Sequence, residues 1–252
     1  MQINNNTPNL NFQALPAANA VSHIGGKKVT IYKLGMEDVP FANKMLSKIN
    51  LEKMYPDLSS YDGFHHWSNI IFGAVKRICS ENVFLAVHNK RPCGIISFCQ
   101  NPNEPEKLVL SRIATWPVKE NCKVPNVGKM LMLTMFKFAE KNKSQEIKLF
   151  PMSATPREKS CIDFYESLGF KTIHEAHKSR MCIMDNTNFC KKCAQIENFF
   201  DYKEVETKEH VNLKKELSLT FNDTLYEKIS NLIKSLSSSK QNSGNSSRHI
   251  TG

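Results

Sequence analysis

Residues 29–34 (VTIYKL) alternate apolar and polar positions, the period-2 pattern of a strand, and Gly35 ends it. Glu37 and Asp38 then form an acidic first turn and predict a helix to about Asn50. A turn-rich stretch at 54–60 precedes Asp62, a cap for a second helix carrying Trp67, Ile70, Ile71, Ala74, Val75 and Ile78. Residues 83–99 (VFLAVHNKRPCGIISFC) and 107–116 (KLVLSRIATW) are β-rich, with turn residues at 89–92 and 101–106. Three consecutive antiparallel strands are the economical reading.

Beyond Trp116 and Pro117 the pattern changes. A polar loop, VKENCKVPNVG, enters the helix KMLMLTMFKFAEKNK, whose only polar stripe is Lys129, Lys137 and Lys141, so the helix is largely buried. EIKLF reads as a short strand, Pro156 opens another helix that Gly169 closes, and FKTIHEAH and SRMCIM supply two closing strands. The order β-α-α-β-β-β-α-β-α-β-β predicts an α/β (α+β) mixture rather than simple βα alternation. Past Asn186, Phe189, Cys193, Ile196 and Phe200 fall at helical spacing. Leu225, Ile229, Leu232, Ile233 and Leu236 form a second stripe, opened by the capping-box pair Thr224 and Glu227. The expected division is a disordered Asn-rich arm at 1–27, a main α/β domain at 28–185, a helical extension at 186–236 and a disordered Ser/Asn-rich tail at 237–252.

Composition narrows the classes. Of 252 residues 40% are hydrophobic, with 10 Gly and 11 Pro, which excludes a wholly disordered chain and a collagen-like fibre. No apolar run approaches the ~18 residues of a membrane helix. The first residues lack the basic start and apolar centre of a secretory signal. Eight Cys without an export signal read as reduced thiols of a cytoplasmic protein. Thirty-four Lys and Arg against 24 Asp and Glu give a net charge of +10, which suits a polyanionic ligand, an acidic partner or nucleic acid, although no nucleic-acid recognition motif is present.

The informative join is strand, polar loop, Gly128, helix. A helix N-terminus presents N–H groups without intrahelical acceptors and a partial positive charge, an arrangement that binds phosphate. The loop and helix are also basic, with Lys119, Lys123, Lys129, Lys137, Lys141, Lys143 and Lys148 against Glu120, Glu140 and Glu146. A solvated helix face is the plainer alternative.

Together LVLSRIATWP, KVPNVGKMLM and FYESLGF resemble the GNAT superfamily of acetyl-CoA-dependent N-acetyltransferases over roughly residues 29–184. The resemblance implies a central mixed, mostly antiparallel sheet flanked by helices, with the helical extension added at its C-terminus. In the family motif Q/R-x-x-G-x-G/A, Lys123 stands at the Gln or Arg position, Asn126 at the middle Gly and Gly128 at the final Gly or Ala. Lys keeps the charge but lacks Arg's planar fork, and Asn is the residue that best tolerates the left-handed backbone of a Gly. By the same resemblance, the backbone of Ile113, Ala114 and Thr115 lies along the pantetheine arm of acetyl-CoA, the cosubstrate, and Val127 and Lys129 flank Gly128 at its pyrophosphate. Tyr165 becomes the acid that protonates the departing thiolate, with an amphipathic core Tyr as its alternative.

No carboxylate in LVLSRIATW offers a general base, which leaves Glu106, Glu158 or a water chain. The implied activity is acetyl transfer to an amine on a small molecule or protein, and a homodimer is open. The rival readings are a degenerate module of the same fold that binds CoA or a protein without catalysis, and a basic nucleic-acid-binding protein. No metal is expected: Cys190 and Cys193 form a CxxC on one helix, which only Cys182, His174 or His177 would complete. By the resemblance His65, His66 and Trp67 lie on the second helix where the family often contacts acceptor substrates, but they read as a surface pair beside a packed aromatic.

Overall fold

The computed structural model describes residues 13–47, 49, 61–101, 103–118, 122–151, 158–174, 180–205 and 211–212. The chain divides into Met1–Leu217 and Ser218–Gly252, and every described residue belongs to the first. The stripe at 225–236, its capping box and the tail lie outside the described residues.

The strands are β1 (Gln13–Ser22), β2 (Lys28–Lys33), β3 (Asn82–His88), β4 (Arg91–Asn101), β5 (Glu104–Thr115), β6 (Glu146–Leu149), β7 (Lys171–His174), β8 (Arg180–Asp185), β9 (Phe200–Glu204) and β10 (Val211–Asn212). The helices are α1 (Val39–Leu46), α2 (Tyr61–Lys76), α3 (Val127–Lys141), α4 (Glu158–Ser167) and α5 (Asn186–Glu197). From β2 to β8 the order is the expected one. One sheet runs β10-β1-β2-β3-β4-β5-β6-β8-β7, with β9 also on β1, and among the described residues only the β5–β6 pairing is parallel. This is the mixed, mostly antiparallel sheet flanked by helices.

Local chemistry explains the central meander. Asn89 and Lys90 both take positive φ, 47° and 62°, the two-residue turn whose twist matches a β3–β4 hairpin. The expected helix from Glu37 divides into a 3-10 turn, Met36–Asp38, and α1; the Asp38 carboxylate accepts the Gly35 N–H at 2.8 Å. At the end of α4, Gly169 has φ +95°. Its N–H reaches the Glu166 carbonyl while the Phe170 N–H reaches that of Tyr165, closing the helix in a Schellman motif.

The main core lies between the sheet and α3, where Met130, Leu131, Met132, Leu133, Met135 and Phe136 are fully buried with Phe98, Leu108 and Ile147. α3 sits close because β4 is bare at Gly94, where a Cβ would meet Val127 Cγ1 at 2.8 Å and Leu131 Cδ1 at 3.0 Å.

Two expectations are corrected. The arm at 1–27 is not disordered throughout: Gln13–Ser22 is β1, paired with β2 and β9. Its inward positions are Ala18, Ala20 and Ser22, all at zero exposure, so a weakly β-forming sequence is held by its neighbours rather than by propensity. Pro16 sits where the β1–β2 register shifts, a position that tolerates a missing N–H.

The extension from Asn186 is not helical throughout either. After α5 the chain becomes β9 and β10, which return to the outer edge of β1. Phe200, expected on the helical stripe, opens β9 and is 1% exposed. The polar stripe of α3 meets this segment: Lys137 pairs with Glu197 at 2.9 Å, Lys141 with Glu204 at 2.7 Å, and Lys129 Nζ stands 3.6 Å from the centre of the Phe199 ring. Among the described residues, no helix is long and apolar enough to cross a membrane.

Candidate active site

The sheet changes character at one point on β5. Its register with β4 shifts between Leu110 and Arg112, a bulge that leaves Ser111 extra, and bulges bend the strand that carries them. At the same level the parallel pairing with β6 ends, at Leu110↔Leu149, while β5 runs on to Thr115. The two parallel strands therefore part at their carboxyl ends, beside the N-terminus of the α3 crossover. That is where open α/β sheets bind ligands.

Backbone alternation separates the three predicted strand residues. The Trp116 N–H donates to the Cys93 carbonyl at 3.0 Å, so even-numbered residues at this end face β4. The backbone groups of Ile113 and Thr115 accordingly point away from β4, toward the crevice side, and those of Ala114 do not. Ala114 is 3% exposed, on the opposite face from Thr115. The Trp116 indole fixes the strand exit by donating to the Pro92 carbonyl at 2.8 Å.

Asn126 adopts φ 63°, ψ 9°, the left-handed conformation expected of a residue replacing Gly. The N–H groups of Val127, Gly128 and Lys129 then open the helix without intrahelical acceptors. The Asn126 side-chain Nδ2 is buried and has no hydrogen-bond acceptor among the described residues. This donor set fits the oxygens of a pyrophosphate.

Two lysines flank this entry to α3. The Lys129 ammonium lies over the Phe199 ring. Lys123 is exposed, and its carbonyl accepts from Lys27 Nζ at 3.0 Å. Arg91 donates to the Val118 carbonyl at 3.2 Å. Lys27 and Arg91 thus bring positive charge to the loop from distant strand ends, with no local sequence signal. Conversely, much of the basic excess of α3 is matched by Glu197 and Glu204, and Lys148 pairs with Glu146 at 3.2 Å.

Tyr165 is buried, with its ring edge-on to Phe164 at 5.3 Å and to Phe170 at 5.9 Å. Phe164 is the ring that covers Gly128. Glu106 is corrected as a general base: it lies at the opposite end of β5, roughly 30 Å along the strand from Thr115. The side chains of Glu158, His65, His66, Trp67, His174, Cys182 and Cys190, and all of His177, lie outside the described residues. Cys193 packs in the core at 4% exposure.

No family model and no curated protein matches the chain. Among solved structures, it is similar to the PaiA N-acetyltransferase of Thermoplasma acidophilum in complex with coenzyme A. The match has 17% identity and a TM-score of 0.47 over 62% of this chain and 98% of that one. It is also similar to an uncharacterised protein of Bacillus halodurans, at 12% identity and TM-score 0.47 over 74% and 97% of the two chains. A Bacillus subtilis acetyltransferase in complex with CoA aligns at 15% identity and TM-score 0.36 over 57% and 91%. At such identities and TM-scores these are resemblances, and the chemistry of the site rests on its own geometry.

Proposed function

We propose that this chain is an acetyl-CoA-dependent N-acyltransferase of the GNAT type, transferring an acetyl group to an amine. The observation that supports this most is the parting of β5 from β6 at the Ser111 bulge, opposite an α3 N-terminus entered through left-handed Asn126. In this reading the backbone of Ile113 and Thr115 holds the pantetheine arm as an added strand edge would. The amides of Val127, Gly128 and Lys129 and the Asn126 side chain bind the pyrophosphate, and Lys123, Lys27 and Arg91 supply its countercharge. Ala114 shapes the strand from its far face.

In the transfer step the amine nitrogen bonds to the acetyl carbon and the carbon–sulfur bond breaks; the thiolate takes a proton from Tyr165, while the proton lost by the amine passes to water, which returns one to the phenol. The Phe164 and Phe170 rings hold that phenol in place. No metal enters this reading, and the protein acts in the cytoplasm. Recognition of nucleic acid is not favoured, because part of the basic surface is already paired within the fold.

Thiol release from acetyl-CoA by the full chain, across a panel of small amines and peptides, tests the proposal. Amine-dependent release is the expected result. Binding of acetyl-CoA without release for any amine would leave the degenerate CoA-binding module instead.

A further inference from the structure

On the face of β5 opposite α3 lies a cleft of about 570 Å3 between α1, α2 and the strand, a volume typical of small-molecule sites. Its walls include Asn43 of α1, Asn69, Gly73 and Lys76 of α2, Arg77 just beyond that helix, and Arg112 of β5. Among the described residues lining it none is acidic. The Glu81 carboxylate, whose side chain is 3% exposed, lies 3.2 Å from Arg77 Nη1 and 3.7 Å from Arg112 Nη1. One carboxylate thus faces two guanidinium groups. Among the described residues Lys76 has no ion-pair partner, so the cleft keeps an excess of positive charge.

Arg112 is placed with care. A Cβ on Gly73 would meet its Nε at 2.8 Å and its Cζ at 3.3 Å. Glycine is a poor residue for a helix interior, and here its bareness is what admits the guanidinium into the cleft wall. At 3.7 Å the contact with Glu81 is an ion pair rather than a hydrogen bond, so the planar fork keeps donors for a ligand.

We propose that this cleft binds an anionic group, carboxylate or phosphate, carried by the amine acceptor. Arg112 is the planar fork and Lys76 the point charge. The proposal rests on the acetyltransferase reading. Arg112 immediately precedes Ile113, so an acceptor anchored there extends along β5 toward the carboxyl end where the strands part.

The full chain is titrated with inorganic phosphate and separately with glutarate, followed by the amide NMR shifts of Gly73 and Asn69. Saturable shifts are expected, weakened about tenfold by Lys76→Gln and by Arg112→Gln, as loss of one charge-assisted contact does. Lys76 is exposed and outside the Glu81 pair, so its variant remains informative where Arg112→Gln unsettles the fold. Tighter phosphate marks a phosphorylated acceptor, and tighter glutarate a carboxylate. Absent shifts, or shifts indifferent to Lys76→Gln, overturn the site.

Matched amines then separate the two proposals. Acetylation of anionic amines and of their neutral esters at equal kcat/KM overturns the acceptor anchor and leaves the acetyltransferase reading intact. Anion binding without thiol release for any amine overturns the acetyltransferase reading, and with it the acceptor as occupant.

Discussion

A Cβ on Gly128 would stand 3.3 Å from Phe164 Cζ and 3.9 Å from Thr115 Cγ2. The bare side of this glycine is therefore covered by a ring of α4, and what Gly128 offers an anion is its N–H. The three residues join α3, α4 and the end of β5 at the crevice.

The first prediction follows from that contact. Acetyl-CoA raises the melting temperature of the protein, because a ligand bound only to the folded state stabilises it by mass action. Gly128→Asp displaces Phe164 and sets a carboxylate beside the helix N-terminus, and it removes most of that rise. Adding Phe164→Leu relieves the crowding without restoring the rise, which separates lost packing from lost binding. An undiminished rise in folded Gly128→Asp would place the phosphate site elsewhere.

Tyr165→Phe preserves the ring contacts with Phe164 and Phe170 and deletes only the hydroxyl. Turnover falls by about ten- to a thousand-fold with little change in acetyl-CoA affinity, as loss of one proton donor does. Steady-state kinetics beside direct cofactor titration checks this, and unchanged turnover would make Tyr165 purely structural.

Burial pushes the Cys93 thiol up to about 12, against a smaller downward pull from a hydrogen bond with the His88 backbone. The folded protein keeps this proton at pH values where the unfolded chain, near the usual thiol value, loses it. Its contribution is therefore complete below that usual value and disappears as pH rises toward 12. Burial raises the Tyr202 phenol in the same direction, against the hydrogen bond with Thr134. The urea midpoint thus declines above about pH 9, where thiols begin to ionise, and declines less in Cys93→Ala. Equal slopes in the two proteins would contradict the burial of this thiol.

Legibility in the sequence followed the strength of local signals. The meander of β3, β4 and β5 was readable because apolar runs end at Asn89 and Lys90, a turn with its own chemistry. The left-handed entry to α3 was readable because Asn126 is one of the few residues that adopts it. β1 was not, since Ala18, Ala20 and Ser22 carry almost no β signal and Pro16 argues against a strand. The roles of Lys27 and Arg91 at the loop were invisible because they arise from contacts distant in sequence. The stripe of Lys129, Lys137 and Lys141 was read as the polar side of a buried helix. Its partners Phe199, Glu197 and Glu204 are fixed only by the return of the chain to β1.

That return makes the C-terminal segment part of the fold. Phe200 is 1% exposed and Ile196 3%, both in the α3 core, while β9 pairs with β1 from Ser22 to Ala18. Phe200→Ala leaves a cavity that nearby main chain, tied in the ladder, cannot fill, and costs about 3–5 kcal/mol. Truncation after Asp185 does more: it uncovers the buried face of α3 and the hydrogen-bonding edge of β1, and an exposed edge strand recruits other chains. The truncated protein is therefore expected to melt well below the full chain and to aggregate on concentration, measured by calorimetry and light scattering. Equal solubility and heat resistance would show that α5 and β9 are dispensable appendages, contrary to the burial of Ile196 and Phe200.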